Sequence, residues 1–215
     1  MSTRHSYAPA QGHRLRHDPL AAILGPRPIG WISTLSETGV ANLAPYSFFN
    51  VFNYRPPIVA FSSVGHKDTV RHAQRSGQFV CNLATRALAE AVNHSSIEAP
   101  PGTSEFTLCG LTPRASTLVQ APAVAESPVN LECEVLQVQR LHDRQGRPLD
   151  TWMVLGEVVM VHIDPPLLCG PDGTYDTAAA APILRGGGPA DYFEVTAAAR
   201  FEMRRPAPQP QSGAT

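Results

Sequence analysis

Apolar residues along this chain fall mostly into short runs broken by turn residues, a spacing that predicts strands with few intervening helices. Residues 29–35 read as a first strand, and SETG at 36–39 as a hairpin turn in which Gly39 takes a positive φ. Residues 40–48 continue as a strand that Pro45 interrupts, because proline gives no N–H to a ladder and implies an edge or a bulge. Residues 58–63 form a compact buried strand, and the three strands together are expected to make an antiparallel meander. Residues 68–75 then read as a short helix stopped by Gly77 in the left-handed position of a C-cap. Residues 79–83 give the next strand and 88–93 one or two helical turns, followed by the polar loop HSSIEAPPGTSEF. A loop of that length and polarity is usually functional or interfacial.

The second half keeps the β habit. Residues 129–141 and 151–163 are long apolar strands joined by the turn DRQG at 143–146, with Gly156 at an expected bulge. Long paired strands with few helices predict a mainly β fold with short helices, a closed or nearly closed antiparallel barrel rather than a βαβ sheet. There is no internal repeat, and one domain over 19–203 is expected, with a polar arm at 1–18 and a disordered Pro- and Gln-rich tail at 204–215.

Composition narrows the classes of partner. A hydrophobic content of 43% against 16% charged residues fits a globular chain with apolar surface left for a subunit interface. A formal net charge of -1 gives no electrostatic case for nucleic acid or an anionic membrane, and neither partner is expected. Cys81, Cys109, Cys133 and Cys169 form no CxxC pair and read as buried free thiols; the eight histidines include no helical ligand pair, so no metal is expected. The N-terminus has no apolar h-region and no run of 18 apolar residues occurs, so a soluble, cytoplasmic protein is expected.

The candidate chemistry is concentrated between Pro26 and Thr69. Lys67, Asp68 and Thr69 stand where the strand ending at Ser62 and Ser63 turns into the predicted helix. A phosphate dianion needs a cation and several N–H and O–H donors, and a helix N-terminus supplies donors and a favourable dipole. The plainer alternative is that Asp68 caps the helix and Lys67 is a solvated loop charge. A planar flavin ring needs a flat slot with an apolar wall and backbone groups at its polar edge. In NLAPYSFFN, Pro45 leaves the ladder while Tyr46 and Ser47 follow at the bend, and Trp31 and Phe48 are candidate walls; equally, each aromatic can be ordinary core. No GxGxxG follows a strand into a helix, and GxSxG, HExxH and a Walker lysine are absent.

The motifs PRPIGWIST, NLAPYSFFN, PPIVAFSS, KDT, FVCNL, LAEAVN with PPGTSEF, GLTP, AESPVNLEC and LGEVVMVHI resemble, in unbroken order over residues 19–193, the flavin reductase-like family of FMN-binding split barrels. The likeness is greatest to the branch containing flavoredoxin and the reductase component of nitrilotriacetate monooxygenase. The resemblance implies a Greek-key type split β-barrel, a homodimer, and FMN near the subunit interface. It implies that Trp31, Ser33 and Thr34 border the flavin, that Pro45, Tyr46, Ser47 and Asn50 line the ring and ribityl chain, and that Ser62, Ser63, Lys67 and Thr69 take the phosphate. The loop at 93–106 would cover the ring, and GGPADY ending at Tyr192 would lie near the pocket mouth.

The function so implied is FMN-binding oxidoreduction of the flavin reductase type, with hydride passed from NADH or NADPH to FMN and reduced flavin supplied to a partner monooxygenase. No catalytic residue is assigned, because the flavin itself accepts the hydride. The alternative is a carrier that holds its FMN and passes electrons to a protein partner. Arg27, Arg71 and Arg185 are candidates to meet the 2′-phosphate of NADPH.

Overall fold

The computed structural model describes residues 4–100 and 102–206. Position 101 in the polar loop, the first three residues of the arm and the tail from 207 onward therefore lie outside the described residues. Arg204–Pro206, where the predicted tail begins, are exposed and carry no regular structure.

The body is one seven-stranded antiparallel sheet. In chain order it contains β1 (Gly30–Leu35), β2 (Ala41–Tyr46), β3 (Phe49–Tyr54), β4 (Pro57–Val64), β5 (Gln78–Leu83), β6 (Val129–His142) and β7 (Pro148–Ile163). Their lateral order is β2-β1-β5-β6-β7-β4-β3. The two outermost strands, β2 and β3, are consecutive in the chain and joined only by Ser47 and Phe48, so the sheet curls until its edges approach. Across that gap the Tyr46 ring of β2 meets Phe61 of β4 at 4.8 Å between centroids, and Phe61 meets Phe79 of β5 edge-on at 5.5 Å. Such aromatic contacts close the interior where no backbone ladder does.

The expected meander does not form as such. β1 pairs with β2, but the strand expected as its third member, β4, lies at the other end of the sheet against β7 and β3. The intervening β3 is nearly all exposed and has no alternation that would have marked it as a strand. Proline at position 45 is tolerated because β2 is an edge strand in the lateral order. The bulge expected at Gly156 is present as a register shift between Leu155 and Gly156, where a Cβ would stand 2.4 Å from the Phe79 ring.

Helix α1 (Asp68–Ser76) ends at Gly77 with φ 71. It lays Val70 and Ala73 onto the barrel core of Ile32, Phe61, Phe79, Cys133 and Val154. A second core lies on the opposite face of β1, where Ile29 and Trp31 meet Val92 of α2 (Ala89–His94) and Phe106 of α3 (Glu105–Cys109). Strand residues alternate between faces, so covering both faces leaves β1 buried along nearly its whole length. No helix among the described residues is long and apolar enough to cross a membrane.

Candidate functional site

Two cavities flank the β2–β3 corner. The first, of about 400 Å³, is a slot with Phe48, Phe49, Phe52 and Met153 among its walls and Ser47, Asn50, Ser62 and Arg27 as polar groups. The second, of about 300 Å³, is polar and lies at the start of α1, with Lys67, Asp68 and Thr69 facing Asn42, Pro45, Tyr46 and the 95–99 loop. The cavities adjoin along the chain: Pro45 and Tyr46 line the polar one, Ser47 and Phe48 line the slot, and the Tyr46 ring packs on Phe61, another lining residue of the slot. Both volumes fall in or near the range of small-molecule pockets.

The start of α1 is built to receive an acceptor. Lys67 occupies the N-cap in an extended conformation and no side chain caps the helix, so the first-turn N–H groups have no partner from a capping residue. Thr69 is fixed by the amide of Asn42, which donates to its hydroxyl at 2.9 Å. Carboxylates temper the site: Lys67 Nζ lies 3.7 Å from Glu98, and Asp68 accepts from Arg71 at 2.5 Å. Glu105 accepts from the Leu43 N–H at 3.0 Å, yet burial, more than any other influence, pushes its carboxyl above the usual range. Burial likewise raises the Tyr46 phenol, against the opposing effect of the Thr69 and Ser63 hydroxyls.

The sequence-predicted residues therefore divide. Pro45, Tyr46, Lys67 and Thr69 share the polar cavity, and Ser47, Asn50 and Ser62 share the slot. Ser63 is buried and donates to the Gly65 carbonyl at 3.0 Å. Trp31, Ser33 and Thr34 are fully buried. The Trp31 indole N–H donates to Ser95 at 2.9 Å, Ser33 donates to the Pro122 carbonyl at 2.5 Å, and Thr34 lies 3.4 Å from a ring nitrogen of His72. Trp31 thus stands behind Ser95, itself a lining residue of the polar cavity. Of the polar loop, residues 95–99 line the same cavity. Arg71 lies on α1 beside a different cavity, whereas Arg27 borders the slot.

Asn42, Glu98, Glu105, Phe49, Phe52 and Met153 were not singled out by sequence. Asn42 and Phe49 lie inside the quoted NLAPYSFFN motif, so the signal was present for them; Met153 carries none, because it reaches the slot from β7, far away in the chain.

The residues fit the two halves of FMN: a cation and uncapped helix donors for a phosphate, and an aromatic-lined slot with hydroxyl and amide groups for a ring. Residues 24–178 match the family described as flavin reductase like domain. An uncharacterized protein of Halalkalibacterium halodurans is 39% identical over 175 residues, covering 79% of this chain and 81% of the relative. Nitrilotriacetate monooxygenase component B from Bacillus cereus superposes with a TM-score of 0.83 at 28% identity, over 94% of this chain and 100% of its own. The 2-nitrobenzoate 2-nitroreductase of Pseudomonas fluorescens does so with a TM-score of 0.77 at 27% identity, over 90% and 92%.

Proposed function

The chain belongs to the flavin reductase-like domain family and has its split-barrel fold, and from that premise we propose an FMN-dependent oxidoreductase of the flavin reductase type that takes hydride from NADH or NADPH. The observation that carries the reading is the uncapped start of α1 beside Lys67, in a cavity whose lining residues Pro45 and Tyr46 run directly into Ser47 and Phe48 of the slot. Bound FMN would supply the hydride acceptor. Lys67, the Thr69 hydroxyl and the α1 N–H groups would hold its phosphate, while Phe48, Phe49 and Phe52 would orient a ring. Pro45, Tyr46, Ser47, Asn50 and Ser62 would be the remaining contacts, with Trp31 and Ser63 supporting the lining residues Ser95 and Tyr46, whereas Ser33 and Thr34 turn to Pro122 and His72 and are not placed at either cavity.

A homodimer is part of this proposal. Val51, Phe52 and Tyr54 of the edge strand β3, with Phe48 just before it, expose apolar surface next to the slot. An apolar edge of this kind calls for cover. The name of the Bacillus cereus neighbour, component B of a monooxygenase, favours a two-component partner that consumes the reduced flavin.

Anaerobic mixing of FMN-loaded protein with NADH, then NADPH, tests the reading. Bleaching of the flavin band by at least one nicotinamide is expected. No reduction by either overturns it and leaves the FMN-holding electron carrier. Light scattering checks assembly, with a dimer expected.

A further inference from the structure

Arg27 lies in the two-residue strand Arg27–Pro28, with its guanidinium bordering the slot. Nη1 donates to the Ala21 carbonyl; Nη2 donates to the Gly186 carbonyl at 3.2 Å and stands 3.5 Å from the Ser47 hydroxyl. The guanidinium carbon is 5.6 Å from the Phe48 ring centroid, and Nε is buried with no hydrogen-bond partner. The strand register sets Arg185 directly opposite. Arg185 likewise gives its donors to carbonyls, those of Gly188 and Asp191 at 2.8 Å and Pro189 at 2.9 Å. Among the described residues neither arginine has a carboxylate within ion-pair distance, a state shared with Arg114 and Arg140, whereas Lys67, Arg71, Arg75, Arg86, Arg147 and Arg200 each have one.

Like charges directly opposite on antiparallel strands are unfavourable, and a half-buried cation without a counter-ion beside apolar surface is costly. Two carbonyls could be clasped by a neutral donor, so the charge itself needs a reason. We propose that Arg27, backed by Arg185, is the charge-stabilising residue of the slot, favouring the reduced form of a flavin ring bound there. The inference rests on the function proposed above. Hydride transfer adds two electrons and one proton from the nicotinamide to the neutral oxidised ring and leaves one net negative charge, which the guanidinium meets. A positive charge already held in place needs no reorganisation to do this.

The test is the reduction potential of FMN bound to the full-length chain, measured for wild type, Arg27→Gln and Arg27→Lys. Arg27→Gln is expected to lose about tenfold more affinity for reduced than for oxidised FMN, which lowers the two-electron potential by about 30 mV. Arg27→Lys, keeping the charge, is expected to retain most of the wild-type value. A folded Arg27→Gln protein with an unchanged potential means that Arg27 is only a clasp for Ala21 and Gly186, and overturns the inference while the reductase reading stands. Should Arg27→Gln not hold flavin, sulfite decides on the wild-type holoprotein, because its addition to the ring leaves the same negative charge. Saturable bleaching, kept in Arg27→Lys, is expected; no bleaching overturns the inference. Failure of the wild-type chain to bind FMN overturns both.

Discussion

Two clusters of backbone donors in this molecule end differently. On β6, the Glu132 side chain is fully buried and accepts the N–H groups of Thr117, Leu118 and Val119 at 2.7, 2.6 and 3.1 Å, with a His162 ring nitrogen at 2.6 Å. At the start of α1 the chain supplies donors and Lys67 but no capping side chain, and the nearest acid to Lys67, Glu98, is exposed at 3.7 Å. Donors answered by a carboxylate from the same chain fix a loop and become structure. Donors left without one, in a cavity, are available to a ligand.

The largest expected effect is on the filled cluster. Glu132→Ala leaves three loop N–H groups, that of Val119 buried, and a histidine without their acceptor and empties a buried site, and is expected to cost about 3–5 kcal/mol of stability. Urea unfolding measures it, and FMN affinity of the protein that remains folded should be unchanged. A loss below about 1 kcal/mol would show that the loop holds itself, and the contrast with α1 would fail.

The same carboxylate gives a pH dependence. Burial alone would push Glu132 up, but the Thr117 N–H, His162 and the Leu118 and Val119 N–H groups together hold it below the usual range. With the folded-state value depressed, its contribution is complete above the unfolded value of about 4.3 and is lost as pH falls through the folded one. Stability of the wild type should therefore fall more steeply on acidification than that of Glu132→Gln. Parallel curves would contradict the shift.

On the open cluster the expectation reverses: binding changes and stability does not. Lys67→Ala should weaken FMN by about 2–3 kcal/mol, roughly 30–150-fold, while riboflavin affinity moves little. Thermal stability should stay within about 0.5 kcal/mol, since Lys67 is exposed. Equal losses for both flavins in a fluorescence titration would remove Lys67 from the phosphate site. The smallest effect is on its neighbour. Glu98→Gln removes an exposed ion pair worth about 0–1 kcal/mol and should raise FMN affinity by up to about fivefold. Weaker binding in that variant would make Glu98 a contributor to the site rather than a competitor.

Much of the local structure was legible. The turn at Gly39, the helix ended by Gly77 and the bulge at Gly156 each rest on a few adjacent residues, and each is present. So was the placement of Lys67 and Thr69 at the start of α1, which one short motif carries. β3 was not legible: FNVFNY turns apolar side chains outward at a sheet edge, which breaks the alternation by which strands are recognised. The burial of Trp31, Ser33 and Thr34 was hidden as well. It depends on Ser95, Pro122 and His72, each more than thirty residues away.

By itself the sequence determined where most of the strands, the turn at Gly39, the helix end at Gly77 and the bulge at Gly156 fall, and with its ordered motifs the family, because these depend on backbone preferences and patterns that neighbouring residues carry. The tertiary structure alone decided that β4 closes against β7 rather than following β2, and that the one motif NLAPYSFFN feeds two adjoining cavities. It also decided which charges are answered, Glu132 by loop donors and Arg27 by no carboxylate among the described residues. Burial and charge pairing are set by contacts between residues far apart in the chain, and no local pattern encodes them.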